Sequence, residues 1–405
     1  MTFPRQPRKH SADTGINSLH TDSAPGYGEF MTEVEPMVRQ RIRQHGPMSF
    51  DEFMQTALYH PGCGYYVTSD QDPVGKSGDF ITSVSVGRTL GRMLALNILS
   101  AIGQLSADES LTLLEAGAHD GSLASDILTA LIELNASHRI SQYIIVEPSP
   151  RRRVAQQEKL SPHTEKVRWI ESPDNLDSTS PAIFLSNELF DALPVRRLWW
   201  NSESNSWGEW LVDLDPDSDK LTWVKADFNT DALPLILKSR LNIDAALYDV
   251  IPHEFSIEIS PAVIEFHEKI CQTIGRGRII SLDYGSCAPS DQWLEPSKPD
   301  GTLRGFYRHT RIDDVLTHPG KVDITADVFF GDLVQSGEAN GWHTDFLNTQ
   351  QRFLTGLLAD NVQMLEAQPS FWTAGDRKRF LTLISSQFFG ERFKVLVQSR
   401  GTGFH

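Results

Sequence analysis

Residues 113–128 read LLEAGAHDGSLASDIL. The stretch opens as an apolar run that ends in an acid, Glu115. It passes through Gly117 and Gly121 and continues with apolar residues at helical spacing. A strand, a glycine-bearing turn and a helix start form the first unit of a nucleotide-binding α/β sheet, whose ligands lie at the carboxyl ends of the strands. Glycine lets the backbone turn sharply and approach a ligand, because no Cβ stands in the way. Ala118, His119 and Asp120 fill the middle of the loop, where such loops commonly carry a further glycine. Taken alone, the stretch reads equally well as a tight strand-to-helix turn.

The neighbouring strands carry the reading further. YIIVEPSP ends in Glu147, at the place where these folds put an acid that accepts hydrogen bonds from ribose hydroxyls. Glu115 and Glu147 are then expected at the ends of adjacent strands, facing one crevice. Two carboxylates there suit a cofactor that lacks phosphate and carries positive charge, and S-adenosyl-L-methionine is of that kind. NAD stays open, although G-x-G-x-x-G is absent. A further strand, AIFLSNE, runs into SNELFDALPVRR. Asn187, Glu188 and Asp191 gather at its end, and paired carboxylates accept forked hydrogen bonds from a guanidinium. A helix cap with a solvated acid face would look the same.

Around these motifs the chain alternates short apolar strands with helices. LTLLEAG, QYIIVEP, VRWI, AIFLSNE and RGRIISLDYG are the strands, with a helix over 122–135 and a basic helix at Arg151–Arg153. Such alternation predicts a parallel sheet covered on both faces. Upstream, Ser49 and Glu52 have capping-box spacing, and Phe50, Phe53, Met54, Ala57 and Leu58 share one helical face. Residues 84–101 read as a second amphipathic helix. LWWNSESNSWGEWLVDLD and KLTWVKADF read as antiparallel strands, with Trp199, Trp200, Trp207 and Trp210 on a packed sheet face. The expected organisation is a tail over 1–45, a helical segment over 46–108 and the first part of an α/β core over 109–198. An insertion that forms the substrate region follows over 199–275, and the rest of the core and C-terminal strands over 276–405.

Bulk properties narrow the function classes. The 405 residues are 40% hydrophobic and 22% charged, with a formal net charge of -16. Nucleic acids and anionic membranes call for a basic face, so the charge argues against both and permits a basic partner. No apolar run is long enough to cross a bilayer. Cys63, Cys271 and Cys287 are scattered, which excludes a disulfide framework and fits a reducing compartment. The polar first 30 residues lack a secretory signal, and their acids argue against an organelle-targeting segment, so a cytoplasmic location is expected, with the mitochondrial matrix open. VGKS at 74–77 lacks the upstream glycine of a P-loop, and the histidines of HEFSIEISPAVIEFH lack zinc-protease spacing.

Together the stretches MSFDEFMQTALYHPGCGYY, GDFITS, LLEAGAHDGSLASDIL, VEPSP, SNELFDALPV, RIISLDYG, GTLRGFYRH, DITADV and FKVLV resemble the MidA-like family of class I S-adenosylmethionine-dependent methyltransferases. They occur in family order over roughly residues 47–399. The resemblance implies a seven-stranded Rossmann-like core with an N-terminal helical segment and an inserted region, and methylation of an exposed arginine on a protein substrate. By position it carries cofactor contact to Gly117, Gly121 and Glu147, and lays Gly78, Asp79 and Phe80 over the cofactor. Asn187, Glu188, Asp191 and Pro194 would border the methyl-transfer site; Arg304, His309 and Asp323 also match but receive no role. His119 and Asp120 depart from the family's three-glycine loop, Val84-Ser85 from the residues after GDFITS, and Phe329-Phe330 from those after DITADV. His119 is expected either to crowd the cofactor or to turn outward, with φ remaining negative. These departures leave a second reading, a binding or assembly protein that keeps the fold without turnover, and a third, a small-molecule methyltransferase.

Overall fold

The structure is a computed structural model that describes residues 34–68, 82–176, 180–289, 294–307, 310–401 and 403–404. Its centre is a sheet with the spatial order His343–Thr349, Phe393–Arg400, Gly277–Ser286, Ala182–Asn187, Leu111–Ala116, Ile140–Val146 and Val167–Ile170. The last five are mutually parallel. Phe393–Arg400 runs antiparallel to both of its neighbours, and the short strand Val328–Phe329 pairs with the end of Gly277–Ser286. Every residue of Leu111–Ala116 and Ala182–Asn187 is buried, as parallel strands covered on both faces require. The α/β, Rossmann-like expectation therefore holds. The strand order reverses between Leu111–Ala116 and Ala182–Asn187, so their carboxyl ends open a crevice at the switch point.

Helix Ser122–Glu133 links the first two parallel strands, and Pro150–Lys159 links the second to the third. The amphipathic helix expected over 84–101 is corrected in two ways. Gly87, at φ 116°, separates a short turn at Val84–Val86 from a helix at Thr89–Gly103. That helix is buried nearly all round, because Ser122–Glu133 lies on one side and the C-terminal helices Gln350–Asp360 and Ala374–Ile384 on the other.

Helix Phe50–Tyr59 buries the five apolar residues that its spacing singled out. The Ser49–Glu52 capping box is absent: the Ser49 side chain caps nothing, and Glu52 instead accepts both arms of Arg41 at 2.7 and 2.9 Å. A forked guanidinium satisfies that carboxylate better than one backbone amide. A capping box does form at Thr373 and Asp376.

The inserted strands Arg196–Asn201, Ser206–Leu214, Leu221–Asp227 and Ser256–Ile259 make an antiparallel sheet, and Met48–Ser49 of the N-terminal segment pairs into it. Trp200 and Trp207 are cross-strand partners with ring centroids 5.2 Å apart, whereas Trp199 and Trp210 meet at 6.2 Å. Sheet packing thus accounts for all four. A third sheet, Arg304–Tyr307 with Thr310–Ile312 and Asp323–Thr325, was not read from the sequence.

Candidate active site at the switch point

The glycine loop leaves the strand at Gly117 and enters the helix through Gly121, with φ 75° and 83°. A Cβ on Gly117 would press on the Leu189 side chain at 3.2–3.3 Å, so the loop lies against the segment after Ala182–Asn187. The negative φ under which His119 was expected to turn outward is overturned: φ is 47°, in the left-handed region that costs a side chain roughly 1–2 kcal/mol. Two neighbours hold it there. Its carbonyl accepts the Gln156 amide at 2.9 Å, and its ring faces Asp120 at 3.8 Å. Asp120 accepts the Ser122 amide at 2.9 Å and hydroxyl at 2.7 Å and so caps the helix start. Burial pushes the Asp120 carboxyl up, but the bonds from His119 and Ser122 win and hold it well below the usual range.

Glu147 stands at the end of the adjacent strand. It accepts the Ser149 amide at 2.9 Å and the Gln156 amide at 3.1 Å, and burial pushes its carboxyl up. An ionised carboxylate offers about four acceptor sites, so these two bonds leave capacity for a ligand's hydroxyls. Gln156, missed in the sequence, is fully buried and also accepts the Trp169 indole N–H at 2.8 Å. One side chain thereby ties the loop, the strand-end acid and the outer strand together. Nothing in RRRVAQQEK marks it; only its place on the buried face of that helix does.

Glu115 is placed differently from Glu147. Its carboxylate accepts the Tyr143 hydroxyl at 2.7 Å, and burial raises it to about 7. It is 2% exposed, against 7% for Glu147.

The second half of the site is built from distant segments. Glu188 has φ 54° immediately after Ala182–Asn187. Asn187 and Ser83 converge on it: its Oε1 accepts the Asn187 amide at 3.0 Å and the Ser83 amide at 3.2 Å. The Ser83 hydroxyl also donates to Asn187 Oδ1 at 2.9 Å. Asp191 follows in a single turn, Phe190–Ala192, which is capped by Asp283. One oxygen of Asp283 accepts the amides of Leu189, Phe190 and Asp191 at 3.1, 2.8 and 3.3 Å. Burial, then the Asp191 charge, raises Glu188 to about 8. Burial, then Asp283 and Asp323, pushes Asp191 well up. Burial likewise raises Asp283 to about 7, against its amide bonds.

Three tyrosines border these acids. Tyr59 donates to the Ala192 carbonyl at 2.9 Å, Tyr66 donates to Asp323 Oδ1 at 2.5 Å, and Tyr284 lies under the Arg304 guanidinium at 5.4 Å. Arg304 pairs with Asp327 at 2.7 Å. Asp283, Tyr59, Tyr66 and Tyr284 were not singled out from the sequence, although RIISLDYG and MSFDEFMQTALYHPGCGYY contain them. Gly78, Asp79, Phe80 and His309 lie outside the described residues. So does VGKS, and with it the test of the residues laid over the cofactor.

The residues present fit S-adenosyl-L-methionine. A loop with two left-handed glycines abuts a strand-end carboxylate with spare acceptor sites, and buried acids gather at the end of the neighbouring strand. A family model for S-adenosyl-L-methionine-dependent methyltransferases matches residues 93–347. A mitochondrial protein arginine methyltransferase, NDUFAF7, from Rattus norvegicus is 30% identical over 359 residues, 80% of this chain and 76% of that protein. Its Danio rerio counterpart is 32% identical over 72% of this chain and 69% of its own length. A crystal structure from Burkholderia thailandensis, bound to S-adenosyl-homocysteine, superposes with a TM-score of 0.77 at 27% identity, covering 91% of this chain and 92% of that one. With the family expected from the motifs matched along most of the chain, this protein belongs to the MidA-like S-adenosyl-L-methionine-dependent methyltransferases.

Proposed function

We propose that the chain methylates an arginine side chain of a protein. The observation that carries this reading is the buried acid pair Glu188 and Asp191 at the switch point, across the crevice from Glu147. Bound S-adenosyl-L-methionine supplies an electrophilic methyl group on a sulfonium sulfur. Gly117 and Gly121 let the loop approach it, Glu147 accepts ribose hydroxyls, and Glu115 supports the loop. Asn187 fixes Glu188, and Glu188 and Asp191 accept the N–H groups of the substrate guanidinium. They align one nitrogen with the methyl carbon, and one of them, or water, takes the proton that nitrogen releases. The names of the rat and zebrafish relatives support arginine as the acceptor.

The tail expected over 1–45 is corrected at its end, where Val34–His45 is a helix that buries Val34, Val38 and Ile42; the proposed organisation keeps 46–108 as a helical segment, 109–198 and 276–405 as core, and 199–275 as the substrate region. The compartment is a reducing one, cytoplasm or mitochondrial matrix. The three cysteines form no disulfide in the structure, and no helix among the described residues is long and apolar enough to cross a membrane. The relatives named above are mitochondrial.

Calorimetric titration with S-adenosyl-L-methionine and S-adenosyl-homocysteine, together with methyl incorporation into arginine peptides, tests the reading. Micromolar binding lost in Glu147→Ala, with incorporation lost in Glu188→Gln and Asp191→Asn, supports it. Binding without incorporation into any arginine peptide sinks it. The left-handed His119 favours one rival, a partner-binding protein without turnover, which requires the wild type to bind neither compound.

A further inference from the structure

Strand Gly277–Ser286 alternates its side chains between two faces, so Arg278 shares a face with Ile280 and Leu282. Ile280 and Leu282 join the apolar core formed with helices Thr89–Gly103 and Gln350–Asp360. Arg278 instead places a guanidinium near the amino end of the strand, and the residue is only 8% exposed. Its Nε donates to the Phe404 carbonyl and its Nη1 to the Asn97 side-chain oxygen. Both bonds measure 3.3 Å, longer than an ordinary N–H···O bond. A guanidinium has more donors than these two bonds use, and among the described residues no carboxylate accepts from it. Burial pushes its pKa down and the Asp345 charge pushes it back, yet an arginine stays protonated. A buried cation held by neutral partners is costly, and a bound anion would offset that cost.

A cavity of about 410 Å³ opens beside this guanidinium. Arg278 and Asn97 supply its polar wall, and Leu96, Phe346, Phe353 and Leu357 its apolar one. Gly356 lies between Phe353 and Leu357 on the same helix and also lines the cavity. Glycine inside a helix is destabilising relative to alanine, and a Cβ at Gly356 would meet no atom within 4 Å. Packing therefore does not demand the glycine, which leaves the cavity wall open. The charged lining residues balance, with Arg278 and Arg352 against Asp345 and Asp360. Such a lining suits one negative charge better than a polyanion. The reaction crevice lies elsewhere: Asp283 stands further along the same strand, about 16 Å from Arg278 at strand rise.

We propose that this cavity binds a small monocarboxylate with an apolar body, its carboxylate on Arg278 and its body against Leu96, Phe346, Phe353 and Leu357. A planar carboxylate matches the fork of a guanidinium, and the volume falls within the range of small-molecule sites. The cavity shares no residue with the acid cluster, so the inference stands or falls independently of the arginine reading.

The test titrates the full-length protein with sodium octanoate in a calorimeter, with 1-octanol as the uncharged comparator. Octanoate should saturate a single site, and octanol should bind at least about tenfold more weakly, because it cannot make charge-assisted bonds to Arg278. Gly356→Leu puts a side chain into open space at the cavity wall. It should keep the circular dichroism of wild type and its Kd for S-adenosyl-homocysteine within about twofold, while octanoate binding weakens about tenfold or more. Arg278→Gln should weaken octanoate by a similar factor; if that variant does not fold, Gly356→Leu decides alone. Octanoate binding that never saturates, octanol of equal affinity, or wild-type octanoate affinity in Gly356→Leu would each overturn the inference. Displacement of octanoate by S-adenosyl-homocysteine would assign it to the cofactor crevice instead and overturn the inference too. Displacement by inorganic phosphate at matching concentration would do the same for the choice of a monocarboxylate.

Discussion

The two halves of the crevice are built in different ways. The glycine-loop half is local: Glu115, Gly117, His119, Gly121, Glu147 and Gln156 lie within 42 positions of one another, on two adjacent strands and their helices. Its acids are satisfied by near neighbours, Tyr143 for Glu115 and Ser149 with Gln156 for Glu147. The acid half draws Tyr59, Tyr66, Ser83, Glu188, Asp191, Asp283 and Asp323 from five separate segments. Burial first, and then the charges of neighbouring acids, push its carboxylates upward. A locally satisfied half is suited to holding a cofactor tightly, and an under-compensated acid half is suited to a cationic substrate that supplies the missing charge.

If that division is right, changes in the two halves must separate in what they damage. The largest effect is expected from the acids. Glu188→Gln and Asp191→Asn should each lower kcat/KM for an arginine peptide by about a hundredfold or more, while the affinity for S-adenosyl-homocysteine is retained. Wild-type rates in both would break the division at its strongest point.

Glu147→Ala should act in the opposite sense. Losing hydrogen bonds to a charged acceptor costs about 1.5–3 kcal/mol, so S-adenosyl-homocysteine binding should weaken roughly ten- to a hundredfold. Titration calorimetry reads this directly, and an unchanged Kd would remove Glu147 from the cofactor half.

pH sharpens the contrast further. Glu188 is raised to about 8 by burial and by Asp191, and only its ionised form attracts a guanidinium. A pH profile of kcat/KM should therefore climb to a plateau above about 8, and Glu188→Gln should flatten that limb. For the empty protein the sign reverses. A carboxyl raised in the folded state contributes stability that is full below its unfolded value near 4.5 and is lost as pH rises through about 8. Thermal melts across that window, with and without an arginine peptide, should show the peptide's stabilisation growing as pH rises.

The smallest effect is expected at His119. Glycine there would relieve the left-handed backbone but forfeit the contact with Asp120. His119→Gly should leave the S-adenosyl-homocysteine Kd within about threefold and stability within about 1 kcal/mol. A gain of tenfold or more in affinity would show that the histidine obstructs the loop and would strengthen the reading without turnover.

Much of the cofactor half was legible along the chain. Leu111–Ala116, Ile140–Val146 and Ala182–Asn187 announce themselves as short apolar runs because parallel strands are buried on both faces. Glu147 and the loop glycines follow from where ligands sit on such sheets. Period and spacing are short-range quantities, and they also located Phe50–Tyr59 and the inserted antiparallel strands. They failed where a neighbour outside the window decided the outcome. Ser49 lost its cap to the Arg41–Glu52 pair, and Thr89–Gly103 was enclosed from both sides by elements as far along the chain as Ala374–Ile384. His119 took a positive φ that only Gln156 and the Asp120 cap explain.

The amino-acid sequence by itself determined the parallel core, its loop and the acids at its strand ends, because those follow from the chemistry of adjoining residues. Only the tertiary structure decided which further groups meet there. Asp283 caps the turn that holds Asp191 because strands Gly277–Ser286 and Ala182–Asn187 pair in one register, with Leu282 opposite Asn187. Tyr66 meets Asp323 because the N-terminal segment is threaded into the inserted sheet and lies against the third. Strand register, crossover direction and the burial of like charges are properties of the assembled core, and no window of local sequence contains them.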